Sequence, residues 1–255
     1  GGRPIHVELE AELADWKGTE AALLLATGFA ANLAVLATLA PTPDVLVVSD
    51  ELNHASIIDG CRLGRGRLAV SRHNDVAHVN ALLAAHEGPA LVVTDTVFSM
   101  DGDVALVEDL AAVCGRHEAL LVLDEAHAVL GPHPDLADPA WRGVDVVRVG
   151  TLSKTLGSLG GFVAGSRDMI DLLVNAARPF IFSTASTPGD AGAARAALRI
   201  VRSAEGAALV ARLRTLIDAV QPGHPSPIIP IVLGDEAAAL AASARLLEQG
   251  LLVPA

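Results

Sequence analysis

Residues 149–161 read VGTLSKTLGSLGG and place Lys154 among hydroxyl groups and glycines, directly after an apolar run. Lysine is rare in this chain, which has Lys17 and Lys154 against sixteen arginines. A lysine kept in such a sequence is expected to be needed as an amine, because arginine neither deprotonates near neutral pH nor condenses with a carbonyl group. Lys154 is therefore a candidate tether for a phosphate-bearing carbonyl cofactor such as pyridoxal phosphate (PLP). A lysine in a surface turn would give the same local pattern, so this stretch alone leaves both interpretations open.

The bulk composition argues against several classes of function. The 255 residues are 51% hydrophobic, and the net charge of −12 comes without a long basic run, which argues against binding of nucleic acid or anionic membranes. Cys61 and Cys114 lie outside any CxxC spacing, so neither a disulfide scaffold nor a structural zinc site is expected. No apolar run reaches the roughly 20 residues of a membrane span. We expect a cytoplasmic protein that acts on small molecules.

Both ends of the sequence indicate a piece of a longer protein. The chain starts at Gly1 without an initiator methionine or a signal-peptide pattern, and it stops in residues 251–255, which are typical of a strand. We expect further segments before Gly1 and after Ala255.

Apolar runs that alternate with helical patterns predict an α/β fold. Strands this apolar are typical of a largely parallel sheet that helices cover on both faces. The predicted strands are 20–27, 45–49, 68–71, 90–95, 119–123 and 144–149, and the main predicted helices are 6–16, 29–36, 76–85, 104–116, 167–177, 188–203 and 207–220.

The sequence predicts two domains. Residues 1–203 form the large domain that contains the sheet, and residues 204–255 form part of a smaller α+β domain. Within the second unit, residues 222–227 (PGHPSP) are the best linker candidate, and a strand at 228–233 with a helix at 237–248 would follow. Lys17, at the end of the first helix, is interpreted as a cation that complements the helix dipole.

Polar side chains follow the predicted strands where each strand ends, and these ends meet at one edge of a parallel sheet. Gly28 opens a helix there, where free amides and the helix dipole favour a phosphate. His54, Ser99, Asp124 and His127 follow other strands. A carboxylate such as Asp124 would keep the pyridine nitrogen of PLP protonated, which makes the ring an electron sink.

Other chemistries fit the sequence less well. Asp124 to His127 read DEAH, but a helicase also needs a phosphate-binding loop that ends in Gly-Lys, and no such dipeptide occurs. Neither HExxH, for a metal site, nor Gly-x-Ser-x-Gly, for a serine hydrolase, is present. Arg62, Arg65, Arg67 and Arg72 could steer a phosphate-rich acyl carrier, but a solvated basic face is the simpler interpretation.

Taken together, the motifs resemble those of the α-oxoamine synthases, a family with the type I, aspartate aminotransferase fold of PLP-dependent enzymes. The resemblance covers nearly the whole chain, in the family's order and approximate spacing. The matching segments are 27–32 (TGFAAN), 53–56 (NHAS), 73–76 (HNDV), 97–103 (VFSMDGD), 124–127 (DEAH) and 151–154 (TLSK).

The resemblance implies specific roles for five side chains. Lys154 would hold PLP through a Schiff base, and Asp124 would pair with the pyridine nitrogen. His54 would stack on the ring. His127 and Ser99 would form hydrogen bonds near the phenolic oxygen. Lys154, Asp124, His54 and His127 would be the catalytic group.

The family also implies a phosphate site and a dimer. Gly28, Phe29 and Thr151 would hold the phosphate, and Thr184 would reach the phosphate of the other subunit, so that a homodimer shares its active sites. Ala128 replaces the usual glycine after the acidic motif. The arginine that binds the amino-acid carboxylate in this family, and the N-terminal segment that helps bind the acyl group, are expected outside residues 1–255.

By this resemblance the expected reaction is a PLP-dependent decarboxylative condensation. An amino acid, expected to be L-alanine, would react with a pimeloyl thioester carried by coenzyme A or by a carrier protein. A glycine C-acetyltransferase shares the same motifs and remains an alternative. A non-catalytic scaffold with the same fold is an alternative from another class, although such a protein is expected to lack the lysine or the aspartate.

Overall fold

The computed structural model of the protein describes residues 2–131, 134, 141 and 143–255. Within them, helices and strands alternate along most of the chain. The helices are α1 (Pro4–Lys17), α2 (Gly28–Leu39), α3 (Ala55–Leu63), α4 (Val76–Ala84), α5 (Val107–Arg116), α6 (Arg167–Ala176), α7 (Arg178–Ile181), α8 (Pro188–Val201), α9 (Ala204–Val220) and α10 (Glu236–Glu248). The strands are β1 (Ala21–Leu25), β2 (Leu46–Asp50), β3 (Arg67–Ser71), β4 (Ala90–Asp95), β5 (Leu120–Asp124), β6 (Val146–Thr151) and β7 (Gly161–Gly165).

The seven strands form one sheet in the order β1-β7-β6-β5-β4-β2-β3. Six strands run parallel, and β7 alone runs antiparallel to its neighbours β1 and β6. The prediction of a largely parallel sheet is confirmed. The strand β7 goes beyond the six apolar runs identified in the sequence, and it follows β6 through the turn that contains Lys154.

Because side chains alternate along a strand, the apolar residues of the sheet pack into cores on both of its faces. One core contains strand residues such as Val93, Val122 and Val149 together with α2 and α3. The opposite face is covered by α4 and α5 at one end and by α1 and α8 at the other. Because the side-chain period of a strand is two, neighbouring residues at the end of β5 face opposite cores. Asp124 therefore lies on the α2 face, and Glu125 lies on the α1 face.

Two helix starts position the site. Thr27 precedes α2, and its hydroxyl accepts a hydrogen bond from the amide of Ala30 at 3.0 Å. His54 precedes α3, and its Nδ1 accepts one from the amide of Ser56 at 3.2 Å. The turn before α2 packs against β7 so closely that a Cβ on Gly161 would lie 2.3 Å from the carbonyl oxygen of Thr27. A residue without a side chain is therefore required at position 161 for β7 to lie beside the start of α2.

The C-terminal part of the chain differs from its prediction in two respects. Residues 228–233 form no strand, so that prediction was wrong; Pro230 lacks the amide proton that a strand ladder needs, and none of the described strands pairs with this segment. The predicted linker at 222–227 is partly buried, because the hydroxyl of Ser226 donates to the carbonyl oxygen of Gly102 at 2.5 Å. The last residues, 251–255, also form no strand. The division into domains at residue 203 stays a prediction.

Candidate active site

A cleft of about 230 Å³ opens at the carboxyl edge of β4, β5 and β6, between the first turns of α2 and α3. This is the edge at which ligands bind in open α/β sheets. Seven of the nine residues predicted for the site line this cleft, namely Gly28, Phe29, His54, Asp124, His127, Thr151 and Lys154. The lining also includes Thr27, Asn32, Ser56, Asp95, Ala126 and Ser153.

Asp124 is a buried carboxylate without a cation in direct contact. Its Oδ2 accepts a hydrogen bond from Asn32 Nδ2 at 2.6 Å, and its Oδ1 accepts one from the amide of Ala126 at 2.9 Å. Burial raises the pKa of this carboxyl above its ordinary value, although these donors and the nearby Lys154 oppose the shift. The site thus holds a carboxylate whose negative charge a cationic ligand would stabilise.

Asp95 is a second buried carboxylate in the same cleft. It ends β4 opposite Asp124 of β5, and its Oδ2 accepts a hydrogen bond from the amide of His54 at 2.7 Å. Burial raises the pKa of Asp95 well above its ordinary value, and the charge of Asp124 raises it further. Sequence patterns do not single out Asp95, since it resembles any polar residue at a strand end; its position one strand away from Asp124 is the available signal.

Lys154 and His127 are in direct contact, with Lys154 Nζ 2.7 Å from His127 Nε2. Lys154 is still accessible to solvent, but partial desolvation in the cleft lowers its pKa, against the opposing effect of Asp124 and Asp95. Burial, followed by the charge of Lys154, lowers the pKa of His127 to about 4. At neutral pH the imidazole is therefore uncharged, and its Nε2 can accept a hydrogen bond from the amine. A lowered pKa makes the neutral amine of a lysine more available, and this is the form that attacks a carbonyl group.

The start of α2 lies beside Thr151. Thr27 accepts hydrogen bonds from the amides of Ala30 and Ala31, whereas the amides of Gly28 and Phe29, the first two of the helix, have no acceptor among the described residues. A Cβ at position 28 would lie 3.1 Å from Thr151 Cβ, so the glycine keeps the helix start close to this hydroxyl. Free amides, the helix dipole and a hydroxyl together suit a phosphate group.

Ser99 and Thr184 are the two predicted residues that do not line the cleft. Ser99 is half-buried in the turn after β4. Thr184 lines a second cavity of about 420 Å³ beside the edge strand β1, together with His6 and Phe180. In a single chain Thr184 is therefore away from the cleft, and its expected contact with the site of another subunit stays a prediction.

The turn that carries Ser99 is held by His73. His73 Nδ1 lies 3.0 Å from Asp50 Oδ1, and its Nε2 lies 2.7 Å from Asp103 Oδ2. Burial lowers the pKa of His73, but hydrogen bonds to the two carboxylates outweigh it and leave the pKa raised. His73 thereby connects the ends of β2 and β3 to the turn after β4.

The face of the sheet opposite the cleft carries a buried ionic cluster of Lys17, Glu125 and Arg148. Lys17 Nζ lies 2.6 Å from Glu125 Oε2, and Arg148 Nε donates to Glu125 Oε1 at 2.6 Å. Lys17 Nζ also lies 3.8 Å from the centre of the Trp16 ring. The interpretation of Lys17 as a helix-end cation was incomplete: it ends α1, but it is only 2% exposed and pairs with Glu125.

Among the described residues, no group of three or more His, Cys, Asp or Glu side chains is arranged to hold a metal ion. In the same part of the chain, no helix is both long and apolar enough to cross a membrane. Cys61 and Cys114 are both buried and unpaired with one another.

The sequence matches a known protein family over its whole length. Residues 1–255 match the family model for aminotransferase class I and II. The chain is 49% identical to an 8-amino-7-oxononanoate synthase of Anaeromyxobacter dehalogenans over 270 residues, which cover 100% of this chain and 67% of that protein. It is 45% identical to the enzyme of the same name from Mycobacterium ulcerans, over 99% of this chain and 67% of that one.

A solved structure with the same architecture contains a bound cofactor. The serine palmitoyltransferase of S. paucimobilis, with a bound PLP–myriocin aldimine, is 31% identical and superimposes with a TM-score of 0.91 over 100% of this chain and 70% of that chain. The chain thus spans about two thirds of the length of its relatives.

Proposed function

The chain belongs to the aminotransferase class I and II family and, within it, to the α-oxoamine synthases, and from this premise we propose that it condenses L-alanine with a pimeloyl thioester. The products would be 8-amino-7-oxononanoate, carbon dioxide and a free thiol, as in biotin synthesis. The observation that carries the proposal is the cleft in which Lys154, His127, His54 and Asp124 meet.

PLP is the cofactor of this enzyme class, and the cleft fits it. Burial raises the pKa values of Asp95 and Asp124, and a protonated ring nitrogen beside them would stabilise the charged form of a carboxylate. Lys154 would tether the aldehyde carbon, and the free amides at Gly28 and Phe29 would hold the phosphate. When bound, PLP supplies a cationic ring that accepts electrons from the α-carbon of the amino acid.

The side chains of the cleft would then manage the protons. Once released, the Lys154 amine would remove the α-proton, since burial favours its neutral, basic form. His127 would orient this amine through its Nε2 contact of 2.7 Å. We also assign to His127 the polarisation of the thioester carbonyl. In that role the imidazole must donate a hydrogen bond, so Nε2 must first take up a proton, or the ring must turn so that its N–H faces the carbonyl oxygen.

The proposed substrates follow from the product after which the relatives are named. A nonanoate with an amine at position 8 and a ketone at position 7 contains the three carbons of alanine and the seven of a pimeloyl group, less one lost as carbon dioxide. Glycine and acetyl-CoA would give a much shorter product. The presence of both Lys154 and Asp124 in the cleft disfavours a non-catalytic scaffold.

The arginines of 62–72 do not support a docking surface for an acyl carrier at this site. Arg67 begins β3 and therefore lies at the amino ends of the parallel strands, whereas the cleft lies at their carboxyl ends. Arg62 lies in the last turn of α3, which runs toward the same amino ends. Arg72 is at the cleft edge but pairs with Asp75 at 2.6 Å. We therefore favour a solvated basic face for these arginines. As a separate part of the proposal, the protein is a homodimer in the cytoplasm.

Product analysis tests the proposal. The PLP-loaded protein is incubated with L-alanine plus pimeloyl-CoA, with L-alanine plus pimeloyl carrier protein, and with glycine plus acetyl-CoA, and the amino ketone is identified by mass spectrometry. We expect 8-amino-7-oxononanoate and free thiol in equal amounts from a pimeloyl donor. Product from glycine and acetyl-CoA alone would instead identify the glycine C-acetyltransferase. Lys154→Ala is the control for uncatalysed reaction.

A further inference from the structure

A continuous chain of hydrogen bonds joins Asp124 to His54 across the floor of the cleft. Asn32 Nδ2 lies 2.6 Å from Asp124 Oδ2 and 2.8 Å from Ser56 Oγ. Ser56 Oγ in turn lies 2.7 Å from His54 Nδ1. Asn32 and Ser56 are each 1% exposed, so water does not compete for these contacts. These hydrogen bonds link Asp124, the proposed partner of the ring nitrogen, to His54, the side chain proposed to stack on the ring.

The orientation of the Asn32 amide is set by its surroundings. If its oxygen and nitrogen were exchanged, the oxygen would face the Asp124 carboxylate, and two acceptors would meet at 2.6 Å. In the observed orientation both amide protons are donated, while Oδ1 is buried without a partner. The loss of that one acceptor is the cost of keeping both donors on Asp124 and Ser56.

The direction of the remaining bonds follows from His54. The backbone amide of Ser56 points at His54 Nδ1 from 3.2 Å, so this nitrogen presents a lone pair and carries no proton. Ser56 Oγ accepts a hydrogen bond from Asn32 Nδ2, and its own hydroxyl donates a hydrogen bond to His54 Nδ1. The proton of the neutral imidazole must then lie on Nε2.

We propose that Asn32 and Ser56 are positioning residues, which hold His54 as its Nε2–H tautomer and fix its ring relative to the Asp124 carboxylate. The reason is geometric: His54 would contact the face of the cofactor ring and Asp124 would contact its nitrogen, so a fixed arrangement of these two side chains would set the position of the ring. Asp95 adds a second restraint through the amide of His54. The inference rests on the proposed function only in assigning His54 and Asp124 to the cofactor ring.

Histidine ¹⁵N NMR of the full chain, with and without PLP, tests the tautomer directly. We expect the two-bond proton–nitrogen pattern of an Nε2–H imidazole for His54. In Ser56→Ala we expect a mixture of tautomers, a three- to tenfold higher dissociation constant for PLP, and a lower kcat with an unchanged KM for the acyl thioester, because the proposal assigns Asn32 and Ser56 to the position of the cofactor ring and not to binding of that substrate. A wild-type spectrum with the proton on Nδ1, or a Ser56→Ala spectrum identical to it, would overturn the proposal.

Matched variants separate positioning from general damage to the fold. Ser71→Ala removes another buried serine hydroxyl, at the end of β3, and we expect it to leave the His54 spectrum and PLP affinity unchanged. Ser56→Thr keeps the hydroxyl and is expected to restore the wild-type tautomer. Asn32→Ala is expected to weaken PLP binding at least as much as Ser56→Ala. If wild-type protein showed the Nε2–H tautomer but made no product from alanine, the proposed function would fail and this inference would stand.

Discussion

Asp124 and Glu125 are neighbours in the sequence, yet their carboxylates face opposite sides of the sheet and their pKa values shift in opposite directions. Burial raises the pKa of Asp124, whose partners are an amide side chain and a backbone amide. Burial acts on Glu125 too, but Lys17 and Arg148 outweigh it and lower its pKa. The difference lies in the partners, because both carboxylates are almost fully buried.

The comparison separates a closed cluster from an open one. Lys17 and Arg148 supply Glu125 with cations from within the chain, so that side of the sheet needs no ligand. Asp124 shares its side with the second carboxylate, Asp95, and the pKa of the nearby Lys154 is lowered. Buried groups with pKa values shifted in this way are typical of functional sites.

The largest expected effect comes from exchanging the two lysines for uncharged residues. In Lys154→Ala we expect turnover to fall by at least about 1,000-fold and the visible absorbance of lysine-bound PLP to disappear. In Lys17→Met that absorbance should persist in whatever fraction of the protein is folded. Retained lysine-bound PLP in Lys154→Ala would contradict the assignment.

The two neighbouring acids provide a matched test of stability. We expect Glu125→Gln to lower the free energy of unfolding by about 3–5 kcal/mol, because it leaves two buried cations without their anion. The same change at Asp124, Asp124→Asn, should alter the stability of the cofactor-free protein by no more than about 1 kcal/mol, since it removes a carboxylate that burial disfavours. Urea unfolding of both variants checks this; equal losses would mean that the two carboxylates are paired alike.

A double-mutant cycle measures the coupling within the closed cluster. Lys17→Met alone should cost about 2 kcal/mol, because Arg148 still pairs with Glu125. The double variant Lys17→Met/Glu125→Gln should lose less free energy of unfolding than the sum of the two single variants. In the double variant, Glu125→Gln no longer leaves Lys17 as a buried cation without its anion. Additive losses would show that Lys17 acts through its packing on Trp16 and not through Glu125.

The smallest expected effect is on the pH dependence of stability. The pKa of Asp95 is raised well above its ordinary value of 3.8. Between these two values the folded protein holds a proton that the unfolded chain releases. The contribution of Asp95 to stability therefore falls as the pH rises from 3.8 through the raised pKa. The pKa of Glu125 is lowered from 4.5, so its contribution is present above pH 4.5 and is lost as pH falls below it.

Urea midpoints of the cofactor-free protein at several pH values should reveal the opposite signs. Asp95→Asn should remove a decline in stability toward neutral pH, and Glu125→Gln should remove a loss of stability in acid. If both variants changed the pH slope in the same direction, the contrast between the two faces would be wrong.

The strands and most of the site were predictable from the sequence for a local reason. Apolar runs mark buried strands, and residues that follow parallel strands must meet at one edge, which placed Asp124, His54 and Lys154 together. Asn32 and Ser56 escaped prediction because each is a polar residue within a helix, and their contact depends on how α2 packs on α3. The partner of Lys17 was missed for a similar reason: rules for helix ends are local, whereas Glu125 is far away in the sequence.

Apolar runs can also mislead where a partner is missing. Residues 228–233 have the composition of a strand, but Pro230 and the lack of an adjacent described strand leave them without a ladder. The segment β7 shows the opposite case. Its apolar run is short and follows two glycines, yet it forms a strand because it pairs with β1 on one side and β6 on the other.

The scarcity of lysine has a practical consequence for chemical labelling. Of the two lysine side chains, Lys17 is 2% exposed and engaged with Glu125, whereas Lys154 is exposed in the cleft. Within residues 1–255, an amine-reactive reagent therefore meets a single accessible lysine side chain, and a bound aldehyde cofactor would shield it. The stoichiometry of labelling on one peptide would then report occupancy of the site, without a substrate and without turnover.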